Sequence, residues 1–201
     1  MKNVVFDVGN VLLDWDARRV FRLTLPDEST IDRFIEEVNF FAWNLSLDAG
    51  RSFDEGVRSL CERFPHYSQT IQNYHYKWHE SVQSQIDDSV AVLENLKQLG
   101  APCYAITNFS DEKWCETIKR FSFLNTHFID VVVSGKEKLV KPDRKIFDLF
   151  LIRNQLEASD CIFIDDSIAN IISANAIGFD TIHFNANLDL AKELRRKGLK
   201  I

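Results

Sequence analysis

The sequence predicts an α/β protein in which a parallel sheet carries an all-helical unit inserted after its first strand. Three observations support this prediction. A short apolar run at residues 4–6 stops at a carboxylate, Asp7, close to the start of the chain. Residues 16–85 are rich in aromatic side chains, follow the spacing of amphipathic helices and contain few strand signals. From residue 86 onward helical and strand patterns alternate, which is typical of a parallel sheet covered on both faces.

The alternating part of the chain shows clear helix and strand boundaries. Asp87 or Asp88 can cap a first helix through Leu99, which ends at Gly100 because Pro102 prevents its continuation. The expected elements that follow are strands at 102–107, 128–133, 161–165 and 180–184, and helices at 111–121, 143–154, 167–177 and 187–197. Residues 1–15 and 86–201 are therefore assigned to one discontinuous core domain.

The inserted unit, residues 16–85, is expected to fold as a helical cap domain. Two apolar helix faces are visible in it, one formed by Ile31, Phe34, Ile35 and Val38, the other by Val57, Leu60, Cys61 and Phe64. Because the insertion follows the first strand, the cap lies beside the end of that strand and is well placed to act as a lid.

Composition excludes several classes of protein. The net charge of −6, without a stripe of lysine and arginine, argues against nucleic-acid binding. No apolar run approaches the length of a membrane span, and the three apolar residues before Asp7 are too few for a signal-peptide core. Cys61, Cys103, Cys115 and Cys161 lack CxxC spacing, so we expect reduced, buried thiols. The expectation is a cytoplasmic protein that contacts neither nucleic acid nor membrane.

Polar residues follow four of the predicted strands. They are Asp7 after the first, Thr107 and Asn108 after the second, Lys141 in the loop after the third, and Asp165 and Asp166 after the fourth. Because the carboxyl ends of parallel strands meet at one edge of a sheet, these side chains should converge. Asp7 and Asp166 could hold Mg²⁺ between two strand ends, and the hydroxyl of Thr107 with nearby free N–H groups could receive phosphate oxygens.

Each of these residues also has a purely structural interpretation. An aspartate at a strand end is often a helix cap, and Asn108, Ser110 and Asp111 fit a series of N-cap residues. Lys141 alone would be a solvated surface lysine. The combination of a carboxylate, a hydroxyl, a cation and an acidic pair at one edge is what favours catalysis.

Four motifs, in order, resemble those of the haloacid dehalogenase (HAD) superfamily. They are Asp7-Val-Gly-Asn-Val-Leu, the apolar strand ending in Thr107-Asn108, Lys141-Pro142-Asp143, and Phe-Ile-Asp165-Asp166-Ser-Ile-Ala-Asn170. The resemblance covers nearly the whole chain. It implies a Rossmann-like HAD core with a parallel sheet and an all-helical cap between the first two motifs.

The resemblance also implies roles for individual residues. Asp7 would attack phosphorus to form an aspartyl phosphate, while Thr107 and Lys141 contact and neutralise the transferring phosphoryl group. Mg²⁺ would be bound by the side chains of Asp7 and Asp166 and by the backbone carbonyl of Gly9. The implied substrate-binding residues are Gly9, Asn10, Thr107, Asn108 and Lys141, and the residues that orient the metal ligands are Asp165 and Asn170.

Gly9 departs from the HAD phosphatase pattern. Most of these enzymes have a second aspartate at this position, which protonates the leaving oxygen and then activates water. The backbone carbonyl survives the change, but the general acid is lost, and such groups typically contribute about 10²–10⁴-fold. A substrate with a good leaving group, such as a sugar 1-phosphate, would tolerate this loss.

Three interpretations remain open. The favoured one is a magnesium-dependent phosphatase, since Asp165 and Asp166 are retained and the motifs are similar to those of bacterial HAD phosphatases acting on α-D-glucose 1-phosphate. The acidic pair with Asn170 also resembles the phosphatase domain of soluble epoxide hydrolases. A 2-haloacid dehalogenase and a non-catalytic binding protein are the alternatives. The favoured interpretation implies a small phosphorylated metabolite as the partner and a monomer or homodimer.

The cap should select the substrate. Candidates for stacking on a sugar ring are Trp15, Phe40, Phe41, Trp43, Tyr74, Tyr76 and Trp78, and candidates for hydroxyl contacts are His75 and His79. The competing interpretation is that these aromatic residues form the core of the cap itself. Asp14 or Asp16 could replace the missing acid, although a helix cap at the entrance to the insert is the alternative role.

Overall fold

The structure, a computed structural model, describes residues 2–201. Its strands are β1 (Asn3–Phe6), β2 (Leu13–Trp15), β3 (Val82–Gln85), β4 (Cys103–Thr107), β5 (Val131–Val133), β6 (Cys161–Asp165) and β7 (Asp180–His183). Its α-helices are α1 (Arg18–Phe21), α2 (Glu28–Glu37), α3 (Phe40–Asp48), α4 (Phe53–Arg63), α5 (Ser68–Tyr76), α6 (Asp87–Gln98), α7 (Asp111–Arg120), α8 (Phe123–Thr126), α9 (Ser134–Glu137), α10 (Arg144–Asn154), α11 (Ile168–Ile177) and α12 (Leu190–Arg196). The predicted elements of the core domain are all present, with ends shifted by a few residues.

Five parallel strands form the main sheet in the order β5-β4-β1-β6-β7. The central strand β1 pairs with β4 and β6, so that Phe6 lies opposite Ala105 on one side and Ile164 on the other. Both neighbours of β1 are buried along their whole length, as expected for apolar strands covered by helices on both faces. The ends of β1, β4 and β6 therefore lie side by side at one edge of the sheet.

The helices of the insert pack around a cluster of aromatic rings. Phe21 meets Phe34 and Phe40 edge to face, each with ring centroids 4.9 Å apart, and Tyr74 meets Phe40 in the same way at 4.9 Å. Ile31, like these rings, is fully buried. Most of the cap's aromatic residues thus form the core of the cap itself. Burial of these large side chains stabilises the small helical unit.

One segment of the insert forms a strand that the sequence does not predict. Val82–Gln85, which is β3, pairs antiparallel with β2, so that Leu13 lies opposite Gln85 and Trp15 opposite Val82. The segment has one apolar residue and no alternation, and its strand conformation depends on the partner at the other end of the insert. The two strands make a short ribbon where the chain leaves and re-enters the core.

Two smaller expectations also need correction. Asp87 and Asp88 lie in the first turn of α6, whose N-cap is Ile86, rather than capping it. Of the free cysteines, Cys103 and Cys161 are buried as expected, whereas Cys115 is exposed. Within residues 2–201 no helix combines the length and apolar character needed to cross a membrane.

Candidate active site

Asp7 lies at the edge of the sheet where β1 ends. Its backbone N–H donates to the carbonyl of Ile164 at 2.8 Å, which continues the pairing of β1 with β6 and fixes the position of the residue. The Oδ1 atom accepts from the N–H of Val8 at 2.7 Å. With 8% of its surface exposed, Asp7 is a nearly buried carboxylate that faces a cavity.

Lys141 is buried beside Asp7 rather than solvated. Its Nζ lies 2.9 Å from Oδ1 of Asp7, 2.7 Å from Oδ2 of Asp165 and 2.8 Å from the carbonyl oxygen of Ile106. Burial by itself would lower the pKa of Lys141, but the charges of Asp165 and Asp7 outweigh it and raise that pKa. The lysine is therefore a fixed cation, and the surface-lysine interpretation does not hold.

Asp165 is fully buried and holds its neighbours in place. Its Oδ1 accepts from the N–H of Ser167 at 2.8 Å and from Nδ2 of Asn170 at 3.0 Å, while its Oδ2 receives Lys141. Hydrogen bonds of this kind fix the loop after β6 and the start of α11. The contacts agree with the predicted orienting function of Asp165 and Asn170.

Three carboxylates meet at this point. Asp7, Asp165 and Asp166 each offer an oxygen atom, and these oxygens lie within 4.8 Å of one another. Burial, together with the charges of Asp165 and Asp166, raises the pKa of Asp7 well above its usual range although Lys141 opposes the shift. Burial and the charge of Asp165 likewise raise the pKa of Asp166.

This surplus of negative charge fits a hard divalent cation. One lysine compensates three carboxylates, and oxygen atoms are the ligands that Mg²⁺ takes in proteins. Gly9 lies on the same cavity as Asp7 and Asp166, as the predicted ligand set requires. The residues present thus fit the predicted metal.

Thr107 and Asn108 follow β4 and have different environments. The hydroxyl of Thr107 is buried and has no hydrogen-bond partner among residues 2–201. A buried unpaired hydroxyl is costly, and an oxygen of a bound ligand would remove that cost. Asn108 instead uses both ends of its amide on Lys141: Nδ2 donates to the carbonyl at 2.9 Å and Oδ1 accepts from the N–H at 2.8 Å.

Asn108 lines the cavity, and its side-chain amide holds the backbone of Lys141, so this side chain positions the lysine. The expectation that free backbone N–H groups beside Thr107 and Asn108 receive phosphate oxygens stays a prediction. The side chain of Asn10 also contacts the backbone, since its Oδ1 accepts from the N–H of Trp15 at 3.2 Å. Asn10 lines the cavity and has a left-handed backbone, with a φ of 54°. The structural interpretation holds for Ser110, whose side chain caps α7.

A cavity of about 400 Å³ lies between the edge of the sheet and the cap. The core contributes Asp7, Gly9, Asn10, Asn108, Lys141, Asp166 and Asn170 to its lining, and the cap side contributes Trp15, Phe41, Asn44, Asp48, Phe53, Tyr74, Trp78 and Val82. Four of the predicted aromatic candidates are therefore in place. The cavity has the size of a site for a small organic molecule.

The other substrate candidates lie elsewhere. Trp43 is packed in the cap and its Nε1 donates to the carbonyl of Gly56 at 3.2 Å, and Phe40 is buried among aromatic rings. Tyr76 is 71% exposed. His75 stacks on Phe53, with ring centroids 5.0 Å apart, and does not line the cavity; nor does His79. For these residues the core or surface interpretation is correct.

Asp14 and Asp16 do not line this cavity either. Oδ2 of Asp14 lies 2.5 Å from Nη2 of Arg19, and Oδ1 of Asp16 accepts from the N–H of Arg18 at 2.9 Å. Asp16 thus caps the entrance to the insert, which is the alternative role considered above.

Sequence reasoning missed Asn44 and Asp48 as residues of the cavity. They lie one turn apart on α3, in which six of the other seven residues, all except Ser46, are apolar. Nδ2 of Asn44 donates to Oδ2 of Asp48 at 3.0 Å, and the backbone N–H of Ser110 also hydrogen-bonds the Asp48 carboxyl. Two polar residues at this spacing in an apolar helix are the signal that could have found them.

Burial raises the pKa of Asp48 to about 7, and the N–H of Ser110 opposes the shift. The folded protein therefore keeps the proton up to about pH 7, whereas the unfolded chain releases it near the ordinary value of 3.8. The carboxyl consequently destabilises the fold increasingly as the pH rises from about 4 to about 7.

Asp48→Asn should remove this pH dependence. We expect the Tm of the variant, relative to the parent protein, to rise between pH 4 and pH 7 and then to level off, as measured by thermal unfolding across that range. Glu36→Gln, at an exposed carboxylate of α2 that makes no ion pair among residues 2–201, is the matched control and should show a flat difference. A flat or falling difference for Asp48→Asn would refute the buried, protonated carboxyl.

The chain belongs to the haloacid dehalogenase-like hydrolase family, whose model matches residues 1–178. The resemblance drawn from the four motifs is confirmed, as is the α/β fold with its parallel sheet. Because the family is one of hydrolases, the prediction of a hydrolytic enzyme is confirmed at that level.

Two phosphatases match this chain over nearly the whole length of both proteins. The sesquiterpene phosphatase astK of Aspergillus oryzae is 23% identical over 97% of this chain and 95% of its own length. The D-ribitol-5-phosphate phosphatase of Bacteroides thetaiotaomicron is 24% identical over 96% of this chain and 97% of its own.

Solved structures share the architecture. A HAD family enzyme from Bacteroides thetaiotaomicron, in complex with magnesium and inorganic phosphate, superimposes with a TM-score of 0.77 at 21% identity, and the match covers 97% of this chain and 100% of that one. At this level of identity the likeness establishes the fold.

Proposed function

We propose that the protein is a magnesium-dependent phosphomonoesterase that acts through an aspartyl phosphate on Asp7. The observation that carries this proposal is the Asp7 carboxylate, held 2.9 Å from a buried lysine, on a cavity that it shares with Asp166. Two relatives that match nearly the whole chain are phosphatases, and a structural neighbour binds magnesium and phosphate, which supports the same conclusion.

Asp7 is the proposed nucleophile. Its Oδ1 is occupied by Val8 and Lys141, which leaves Oδ2 to attack phosphorus. As the new bond forms, the bond from phosphorus to the leaving oxygen breaks, and that oxygen takes its proton from water. A water molecule then attacks the phosphorus of the aspartyl phosphate, which regenerates the carboxylate and releases inorganic phosphate.

The other residues stabilise the charge that moves during these two steps. Lys141 neutralises charge on Asp7 and on the phosphoryl oxygens. The hydroxyl of Thr107 is not among the groups that line the cavity, but it is buried at the end of β4 without a partner and would donate to a phosphoryl oxygen bound against Asp7. Mg²⁺, bound by Asp7, Asp166 and the carbonyl of Gly9, would supply further positive charge to the phosphoryl group. Asp165 keeps Lys141 in position throughout.

Gly9 points to the kind of substrate. With no carboxyl at this position the leaving oxygen departs without a general acid, which favours esters whose leaving group is stable as an anion. The anomeric oxygen of a sugar 1-phosphate meets this condition better than a primary alkoxide. We therefore propose a small sugar phosphate, of the sugar 1-phosphate type, as the substrate.

The two competing interpretations fit the site less well. A dehalogenase of the kind that names the family works without a metal, whereas this site brings three carboxylates within 4.8 Å of one another. A non-catalytic binding protein has no need of Asp7, Lys141 and Asp166 together, whereas here Lys141 lies 2.9 Å from Asp7 and all three residues line one cavity.

Removal of divalent metal should abolish the activity. We expect phosphate release from α-D-glucose 1-phosphate to fall to background in EDTA and to return when excess Mg²⁺ is added, because the charge on three carboxylates repels the phosphoryl group without it. Phosphate release is measured beside halide release from a 2-haloacid. Hydrolysis that is insensitive to the chelator, or halide release in EDTA, would contradict the proposal.

A further inference from the structure

Three cap residues form a hydrogen-bonded row along one wall of the cavity, which we call the polar row: Tyr74, Asn44 and Asp48. The hydroxyl of Tyr74 donates to Oδ1 of Asn44 at 2.7 Å, and Nδ2 of Asn44 donates to Oδ2 of Asp48 at 3.0 Å. The N–H of Ser110, at the start of α7, completes the row at the Asp48 carboxyl. All four residues line the cavity.

The order of donors along the row determines what it can offer a ligand. Burial and the charge of Asp48 raise the pKa of Tyr74, so its hydroxyl stays protonated and keeps donating to Asn44. This orientation fixes the Asn44 amide with nitrogen toward Asp48. Asp48 therefore receives two donors and retains lone pairs on its carboxyl oxygens, which can accept from further hydroxyl groups.

Among the described residues, no unpaired cation lines the part of the cavity that lies away from Asp7. Besides Lys141, the lining contains Lys113, whose Nζ lies 2.8 Å from Oε1 of Glu116 and 4.9 Å from the centre of the Phe53 ring. A second phosphate or a carboxylate on the substrate would thus lie in this part of the cavity with no free cation to compensate its charge. The occupant must be neutral outside its one phosphoryl group.

The walls beside the polar row are aromatic. Trp15, Phe41, Phe53 and Trp78 line the cavity together with Asp48. Flat rings next to hydrogen-bond acceptors suit a molecule with apolar C–H faces and hydroxyl edges, which is the chemistry of a sugar or polyol. An all-apolar chain would leave the acceptors of the row unpaired.

We propose that Asp48, oriented by Asn44 and Ser110, determines substrate specificity by accepting hydrogen bonds from the hydroxyl groups of a neutral sugar or polyol monophosphate. This inference rests on the proposed phosphatase function and adds the residue that selects the leaving group. Asp48 binds the part of the substrate that departs, while Asp7 and Lys141 act on the phosphoryl group.

Asp48 also joins the cap to the core, so the test must separate recognition from structure. Its backbone carbonyl accepts from Oγ of Ser134 at 2.6 Å, and its carboxyl accepts from the N–H of Ser110. Loss of a purely structural contact would weaken hydrolysis of every substrate in the same proportion. Loss of recognition would weaken hydrolysis only of substrates that carry hydroxyl groups.

The test compares two substrates, α-D-glucose 1-phosphate and p-nitrophenyl phosphate, which has no hydroxyl group outside its phosphate. In Asp48→Ala we expect the ratio of their kcat/KM values to shift by about 30-fold or more against the sugar phosphate. Asp48→Asn, which keeps one acceptor oxygen, should shift the ratio less. Asp54→Ala, at an exposed cap carboxylate outside the cavity, is the matched control and should leave the ratio unchanged.

An unchanged ratio in Asp48→Ala would overturn the inference, and so would a wild-type preference for a prenyl monophosphate or a sugar bisphosphate. If the wild-type protein hydrolysed neither test substrate, the proposed function would fail separately. Calorimetric titration with glucose 1-phosphate would still decide: weaker binding by Asp48→Ala supports the inference, and equal binding or none by the wild-type protein overturns it.

Discussion

Asp7→Asn should lower kcat for phosphomonoester hydrolysis by about 10⁴-fold or more, because an amide cannot serve as the phosphoryl acceptor. The fold should survive the change. The two side chains have the same shape, and the change removes a carboxylate whose pKa is raised by burial and by the charges of Asp165 and Asp166. The measurement is steady-state release of phosphate from a sugar 1-phosphate, with thermal unfolding recorded for both proteins.

Asp14→Asn provides the matched control for this prediction. Asp14 is a nearby carboxylate that is paired with Arg19 and lies outside the cavity, so its loss should leave kcat within a factor of about two. If Asp7→Asn retained more than a tenth of the parent activity while remaining folded, Asp7 would not be the nucleophile.

Gly9→Asp should increase activity toward esters with poor leaving groups. A Cβ atom built at Gly9 meets nothing within 4 Å, and the backbone there is not left-handed, so an aspartate can be accommodated. Its carboxyl would lie on the same cavity as Asp7 and could protonate the leaving oxygen. We expect about a 10²-fold gain in kcat/KM for a primary alkyl phosphate and little change for p-nitrophenyl phosphate.

Gly9→Asn separates acid catalysis from other effects of a side chain at this position. It has the same shape as the aspartate but cannot transfer a proton, so it should give no gain with either substrate. An equal gain from Gly9→Asn, or an equal gain of Gly9→Asp on both substrates, would show that the missing acid does not limit the native enzyme.

The sequence predicts the central residues of the site, because a parallel sheet brings the residues at its strand ends together. Asp7 directly follows β1, Asp165 and Asp166 lie at the end of β6, and parallel strands bring their carboxyl ends to one edge. The parallel pairing of β1 with β4 and β6 was all that this prediction needed. The glycine in place of a general acid was also visible from its spacing relative to Asp7.

Other features depend on contacts that no local pattern contains. From the sequence alone Lys141 resembles a surface residue, because its burial depends on how the loop after β5 packs against Asp7 and Asp165. The contact between the Asn108 amide and the backbone of Lys141 joins two loops that are far apart in the sequence, so no local pattern predicts it. Whether an aromatic cap residue lines the cavity or the cap's own core depends on how α3 and α5 face the sheet, as Phe41 and Phe40 show.

The most direct test of phosphoryl transfer to Asp7 is rapid acid quenching of the protein during turnover with Mg²⁺ and a sugar 1-phosphate, followed by mass spectrometry of its peptides. The mechanism predicts that the peptide containing Asp7 gains one phosphoryl group, that the gain is lost in EDTA, and that Asp7→Asn shows none. A phosphoryl group on another residue, or full turnover with no phosphorylated peptide in any quenched sample, would contradict the mechanism.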